Sequence, residues 1–480
     1  MDLSSRLRAI VRGSGAAYSG PLTISPDPGT HDSTRPPEQP RRELTYEPDT
    51  GQCHSILDIA RVAEVLGGRA VKTAFGDCLA IDRRYESDRW HGDVRIGECE
   101  FFDSGGLHVL DPSLRARWGD VSRLPSAERN AVTNPLPVTT GESRRLFIDL
   151  ETTGLSGGAG TVAFLVGCGY FDLGAFQVRQ FLLTSYAGER ALLAAVADFF
   201  DAPELIVTYN GKTFDVPVME TRWVFHRMEM PLDGVPHFDM LHPARRLWRS
   251  RMAVDDRVEE GGCRLTALER TLLAVQRSND VAAFEIPRRF FHFLRTGNPC
   301  PLEPVLEHNR MDLVSLAAIT ARAVRLAQNG AKACRDCTEA LALGRLFERA
   351  GLLDRAEACY RRAAASGSFE VRGEALYRLG LRCRRDRRFE EAAAIWRQIL
   401  DLTKTPIIRR STVLDGLRHF AAEALAIHHE HRVRDYAMAR DLATYALAET
   451  PGGRRGDGMR HRVARLDRKM ARKEARLLFS

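Results

Sequence analysis

The chain has 480 residues, 44% of them hydrophobic and 28% charged, with a formal net charge of +7. That composition is globular and long enough for two or three domains, and it excludes a wholly disordered, collagen-like or disulfide-stapled chain. The longest apolar run, Val162 to Phe171, is about half of the roughly 20 residues a membrane helix needs. The N-terminus has basic residues but no apolar leader segment, so a soluble, cytoplasmic protein is expected.

Ten cysteines are scattered without a repeating pattern, as free thiols would be. The one close pair, Cys334 and Cys337, lacks the second pair or the His that structural zinc requires. Charge is uneven. Residues 332–480 carry 32 Lys and Arg against 20 Asp and Glu, while the remainder is slightly acidic. A basic C-terminal part points to a polyanionic partner, although only 6 of the 70 basic residues are Lys and an Arg bias also follows from a GC-rich genome.

In chain order, residues 1–45 are rich in Pro, Ser, Gly, Thr and Arg and are expected to form a disordered tail. Residues 50–140 read as a small α+β region: a helix closed by Gly67-Gly68, then the strand-like runs AVKTAF, DCLAIDRRY and DVRIGE, with a linker over 130–143. Residues 145–330 alternate strands and helices. LFIDLE, TVAFLVGCGYF and AFQVRQFLL form a meander, and β-α-β units follow through LIVTYN and HFDML. Three antiparallel strands followed by β-α-β units is the element order of a ribonuclease H-like α/β domain, a mixed sheet with flanking helices. Residues 335–450 are helical, with a 36-residue offset that aligns Gly344 with Gly380, Ala356 with Ala392 and Tyr360 with Trp396. This resembles the roughly 34-residue unit of tetratricopeptide repeats. Residues 451–480 form a basic tail.

Three segments carry candidate chemistry. In LFIDLETTG, Asp149 and Glu151 project from one strand face, where a buried pair of acids is costly unless a cation pairs them. In LIVTYNGKTFD, Asn210-Gly211 is a turn signal and Asp215 falls in the first turn of the next helix, a position that is also a common cap. In LEHNRMDLVSLAAI, His308 and Asp312 stack on one helix face. Together the four acids form an all-oxygen donor set suited to Mg²⁺ or Mn²⁺, and able to hold two ions for phosphodiester cleavage. Tyr209, Asn210 and Lys212 are placed to touch substrate, with Asn210 equally readable as a turn residue, and Asp239 is an outer acid or a structural one.

DLETTG, YNGKTFD and HNRMD, in this order, resemble the three exonuclease motifs of the DEDD superfamily, and the chain is similar to YprB-type ribonuclease H-like proteins through HFDMLHPARRLW, LTALE and SLAAI as well. The resemblance implies a metal-dependent 3′–5′ exonuclease acting on nucleic acid. It makes Asp149, Glu151, Asp215 and Asp312 the metal ligands and His308 the group that orients or deprotonates the attacking water. His308 stands four residues before Asp312, whereas one branch of the superfamily has Tyr at that place and another has His five residues before. Two other readings fit the same sequence: a non-catalytic nucleic-acid-binding adaptor working through its helical repeats, and a single-strand endonuclease of ribonuclease H-like fold. The repeats would hold a protein partner. The basic tail would hold substrate phosphates or cap the repeats.

Overall fold

A computed structural model describes residues 59–100, 104–114, 145–154, 160–200, 203–252, 263–278, 280–402, 412–449 and 453–478. The expected tail over 1–45 and the linker over 130–143 lie outside them. Nine strands are described: β1 (Arg69–Thr73), β2 (Gly76–Tyr85), β3 (Trp90–His91), β4 (Val94–Arg95), β5 (Arg145–Thr152), β6 (Ala163–Asp172), β7 (Ala175–Leu182), β8 (Leu205–Thr208) and β9 (His237–Asp239). The helices of the first part are α1 (Ile59–Leu66), α2 (Ser104–Leu110), α3 (Glu189–Phe199), α4 (Asp215–Phe225), α5 (Leu241–Met252), α6 (Leu265–Leu268), α7 (Glu285–Thr296) and α8 (Glu303–Asn329).

Seven strands form one mixed sheet in the order β1-β2-β7-β6-β5-β8-β9. Pairing is antiparallel from β1 to β5 and parallel from β5 through β8 to β9. The strands AVKTAF and DCLAIDRRY, read from sequence as part of a separate small region, therefore extend this sheet: Leu79 to Tyr85 run alongside Leu182 to Phe176. Leu79, Ala80 and Ile81 are fully buried, an apolar run that a free-standing two-stranded ribbon could not cover. DVRIGE gives only the short β4 and a 3₁₀ turn over Ile96–Cys99, and β4 pairs with β3 as a hairpin.

The central strand β5 is covered on both faces. Leu146, Ile148 and Leu150 pack with α3 and α7 residues such as Val196 and Phe290, while Phe147 packs with Leu313 and Val314 of α8. With side chains alternating along the strand, Asp149 and Glu151 share the Phe147 face and look toward α8. Because β5, β8 and β9 are parallel, their C-terminal ends gather at one edge of the sheet. Ligands bind at such edges in open α/β sheets.

The second part is helical throughout: α9 (Cys337–Arg349), α10 (Leu353–Ala365), α11 (Phe369–Arg385), α12 (Phe389–Leu402), α13 (Thr412–His428), α14 (Tyr436–Glu449) and α15 (Gly453–Leu478). The 36-residue offset has a packing cause. A Cβ at Gly344 would overlap the Tyr360 ring, and a Cβ at Gly380 would overlap the Trp396 indole. Each glycine on the first helix of a pair thus seats the aromatic ring of the second. A buried carboxylate, Glu339, ties this array to the sheet by accepting from Trp248 Nε1 at 2.8 Å and Arg322 Nη2 at 2.7 Å. Residues 453–478, read as a basic tail, form α15, which Glu430 clamps: its carboxylate accepts from Arg465 Nε and Lys469 Nζ at 2.8 Å each and pairs with Arg462. Met459 and Leu466 of this helix are buried against alanines of α13 and α14. No helix of the described residues is long and apolar enough to cross a membrane.

Candidate active site

The four predicted acids arrive by three local devices. Asp149 and Glu151 come from the end of β5, where the pairing with β6 shifts register between Glu151 and Thr152. Asp215 opens α4, just beyond the turn that follows β8. Asp312 lies on α8, which crosses the Phe147 face of the sheet. The four carboxylates meet and feel one another. Burial, then the charges of Asp312, Glu151 and Asp215, raise the proton affinity of Asp149 well above the carboxylate range. Burial, then Asp312 and Asp215, do the same to Glu151. Burial and the neighbouring Asp239 push Asp215 up to about 7, against the pull of the backbone amides of Asp215 and Leu150.

Among the described residues one cation, Arg277, enters this cluster, and no sequence motif marks it. Arg277, only 8% exposed, bridges the buried carboxylate of Glu269 and that of Asp312. Its Nε donates to Glu269 Oε2 at 2.8 Å. Burial opposes the guanidinium's charge, but Glu269 and Asp312 more than compensate and raise its pKa. Arg277 follows a π-turn over Glu269–Leu273 that ends at Ala274 in the left-handed region (φ 56°). No pattern in the sequence marks that turn, since LTALERTLLAV reads as continuous helix.

His308 is oriented as a base would be. Its Nδ1 lies 2.6 Å from Asp280 Oδ1, and its Nε2 lies 3.7 Å from Asp312 Oδ2. An ionised carboxylate only accepts, so the tautomer protonated at Nδ1 donates to Asp280 and turns Nε2 toward Asp312 and the acid cluster, with Arg277 Nη1 3.4 Å from Nδ1. Asp280 sits in a loop with no motif to announce it. Asn309, also unassigned by sequence, is fully buried and donates from Nδ2 to Asp149 Oδ2 at 2.8 Å, while its Oδ1 accepts from Gln180 Nε2 at 2.8 Å. Room for Asn309 comes from Gly167, which pairs with Asp149 across β5 and β6 and where a Cβ would overlap the Asn309 amide.

The three expected substrate residues are engaged within the protein. Tyr209 donates its hydroxyl to the Cys263 carbonyl. Asn210 takes φ 70° in the turn after β8, and its Oδ1 accepts from Thr213 Oγ1 at 2.8 Å. Lys212 Nζ pairs with Asp111 Oδ2 at 3.0 Å. Asp239, fully buried, accepts from the amides of Asn210, Lys212 and Leu241, so it braces the turn that presents Asp215.

Residues 146–324 match the RNase_H superfamily. The chain is also 32% identical over 326 residues to the uncharacterized protein YprB of Bacillus subtilis (strain 168), an alignment that takes in 67% of this chain and 74% of that one. The chain belongs to the ribonuclease H superfamily. All four acids fall inside the matched segment, as do Arg277, Asp280, His308 and Asn309.

Ribonuclease H-like nucleases generally use divalent metals, and the donor chemistry here fits such an ion: four interacting carboxylates, no thiolate, and proton affinities raised by burial and then by mutual repulsion. Among the described residues no group of three or more His, Cys, Asp or Glu side chains is placed as it stands to hold an ion. Arg277 instead supplies positive charge to Asp312.

Proposed function

We propose that the protein is a metal-dependent 3′–5′ exonuclease that hydrolyses phosphodiester bonds of nucleic acid, with Mg²⁺ or Mn²⁺, as two ions, held by Asp149, Glu151, Asp215 and Asp312. The observation that carries this reading is the convergence of these four acids, from the end of one strand and from two helices, beside an imidazole whose Nε2 faces them. A bound divalent cation would lower the pKa of its water and stabilise charge on the leaving oxygen. The chain's own residues do the rest. His308 takes the water's proton at Nε2, and Asp280 holds the ring in that tautomer and supports the imidazolium. Asn309 fixes the rotamer of Asp149. The helical repeats, similar to tetratricopeptide units, supply a surface for a protein partner.

The reading is tested with 5′-labelled single- and double-stranded DNA and RNA, incubated with the full chain in Mg²⁺, Mn²⁺ or EDTA. Stepwise shortening from the 3′ end is expected with metal and none in EDTA. Asp149→Asn should abolish it without unfolding the chain. Undiminished cleavage by this variant, or intact substrate under every condition with the parent, refutes the assignment.

A further inference from the structure

Beside the acid cluster lies a surface that extends beyond the hydrolytic residues. A cleft of about 470 Å³ is lined by Arg277, Asp280 and His308, and a second of about 290 Å³ by Tyr85, Arg89 and Trp90. The two clefts share Gln276 and Met311 as walls and so adjoin, one opening at His308 and the other at the β3–β4 hairpin. At its far end Trp90 is 57% exposed, an unusual cost for the largest apolar side chain on a two-stranded ribbon. The Arg95 guanidinium stacks 4.8 Å from the Trp90 ring, and that of Arg89 stacks 4.7 Å from the Tyr85 ring. Among the described residues no carboxylate pairs with Arg89 or Arg95.

The hairpin is held in register with the site. His91 Nε2 lies 2.7 Å from Ser315 Oγ on α8, the helix that carries His308 and Asp312. Gly92 takes φ 58°, and a Cβ there would overlap the Leu273 carbonyl, to which the Asp93 amide donates at 2.8 Å. Only glycine permits both the turn and this approach. A rigidly mounted, exposed indole flanked by unpaired guanidiniums, opening into a nuclease groove, has the chemistry that recognises unpaired bases and their phosphates.

We propose that Trp90, with Arg89 and Arg95, forms a base-stacking platform that binds single-stranded nucleic acid and feeds it along the groove to the acid cluster. Duplex is disfavoured, because its bases offer no free face to the indole. The proposal rests on the nuclease reading above and names its substrate class.

The test uses the full chain in an Asp149→Asn background with Mg²⁺, titrated into fluorescein-labelled oligothymidylate and oligouridylate of about 20 nucleotides, longer than one such groove needs, and into a duplex of equal length. Trp90→Ala should weaken single-strand binding by about 5- to 50-fold, the effect of losing one stacked base, and leave duplex binding within twofold. Trp90→Phe should restore most of the affinity, which a fold defect would not allow. An Arg89→Gln, Arg95→Gln double variant should lower the salt slope of single-strand binding. Unchanged single-strand affinity in Trp90→Ala overturns the platform, as does equal loss on duplex. Cleavage by the parent chain, scored separately, decides the nuclease reading whichever way the platform falls.

Discussion

Replacing Asp215 by Asn should stabilise the metal-free protein, with a pH profile set by the carboxyl it removes. In the folded chain burial and Asp239 hold the Asp215 pKa at about 7, against 3.8 for a free side chain. Between those values the folded chain keeps a proton that the unfolded chain releases, so stability falls as pH rises through the window. The penalty is absent below 3.8 and complete above about 7. Three pKa units correspond to about 4 kcal/mol for the fully ionised group. Asparagine escapes that cost but gives up a favourable charge at the start of α4, worth about 0.5–1 kcal/mol, and the charge assistance of the amide hydrogen bonds from Asp215 and Leu150. A net gain of about 1–3 kcal/mol at pH 8, vanishing near pH 4, is expected. Amide hydrogen exchange of β5 and β8 in EDTA is the suitable measurement, because a chain that joins a sheet to helical repeats need not unfold in one step. Adding Mn²⁺ should reverse the order, since only the parent retains a full set of acids to gain from binding. A variant no more protected than the parent at pH 8, or protected equally at every pH, would refute the account.

Three further outcomes follow from the same geometry. Arg277→Ala leaves Glu269, 1% exposed, buried without its cation and with the Ser315 hydroxyl as a remaining partner, and should cost about 3–5 kcal/mol in urea unfolding; a loss below about 1 kcal/mol would show the bridge to be dispensable. Gly167→Ala drives a methyl into the Asn309 amide, and should lower thermal stability by about 1–3 kcal/mol while reducing nuclease rate through a displaced Asp149. Normal rate and stability together would contradict that packing. Glu430→Gln removes the carboxylate that clamps α15, whose pKa its cationic partners hold down to about 2 despite burial. A depressed acid stabilises above its unfolded pKa and loses that contribution as pH falls from about 4.5 to 2, so the parent should shed α15 in that range. At pH 7 the variant should lose exchange protection over 453–478 alone. Retained protection would leave the apolar contacts of Met459 and Leu466 as sufficient.

How much of this could be read in advance depended on range. Strand and helix runs, the 36-residue helical offset and the four acids are local in sequence or carried by motifs, and each is legible because side-chain periodicity and turn chemistry act over a few residues. Asp149 and Glu151 had to share a face once LFIDLE was a strand, and His308 and Asp312 had to stack once 303–329 was a helix. The rest required the chain to fold back on itself. That β2 extends the sheet beside β7 is a pairing across about 100 residues of chain, with no local signal. The cation for the acid cluster, Arg277, stands after a π-turn that looks like plain helix, and Asp280 and Asn309 gained their roles only when α8 crossed β5 over the gap left by Gly167. Lys212, an obvious phosphate ligand by type, was claimed by Asp111, and three cations of the basic tail, Arg462, Arg465 and Lys469, by the buried carboxylate of Glu430. The sequence alone determined which charges exist; only the tertiary structure decided which of them pair, because burial makes an unpaired charge too costly to leave to solvent.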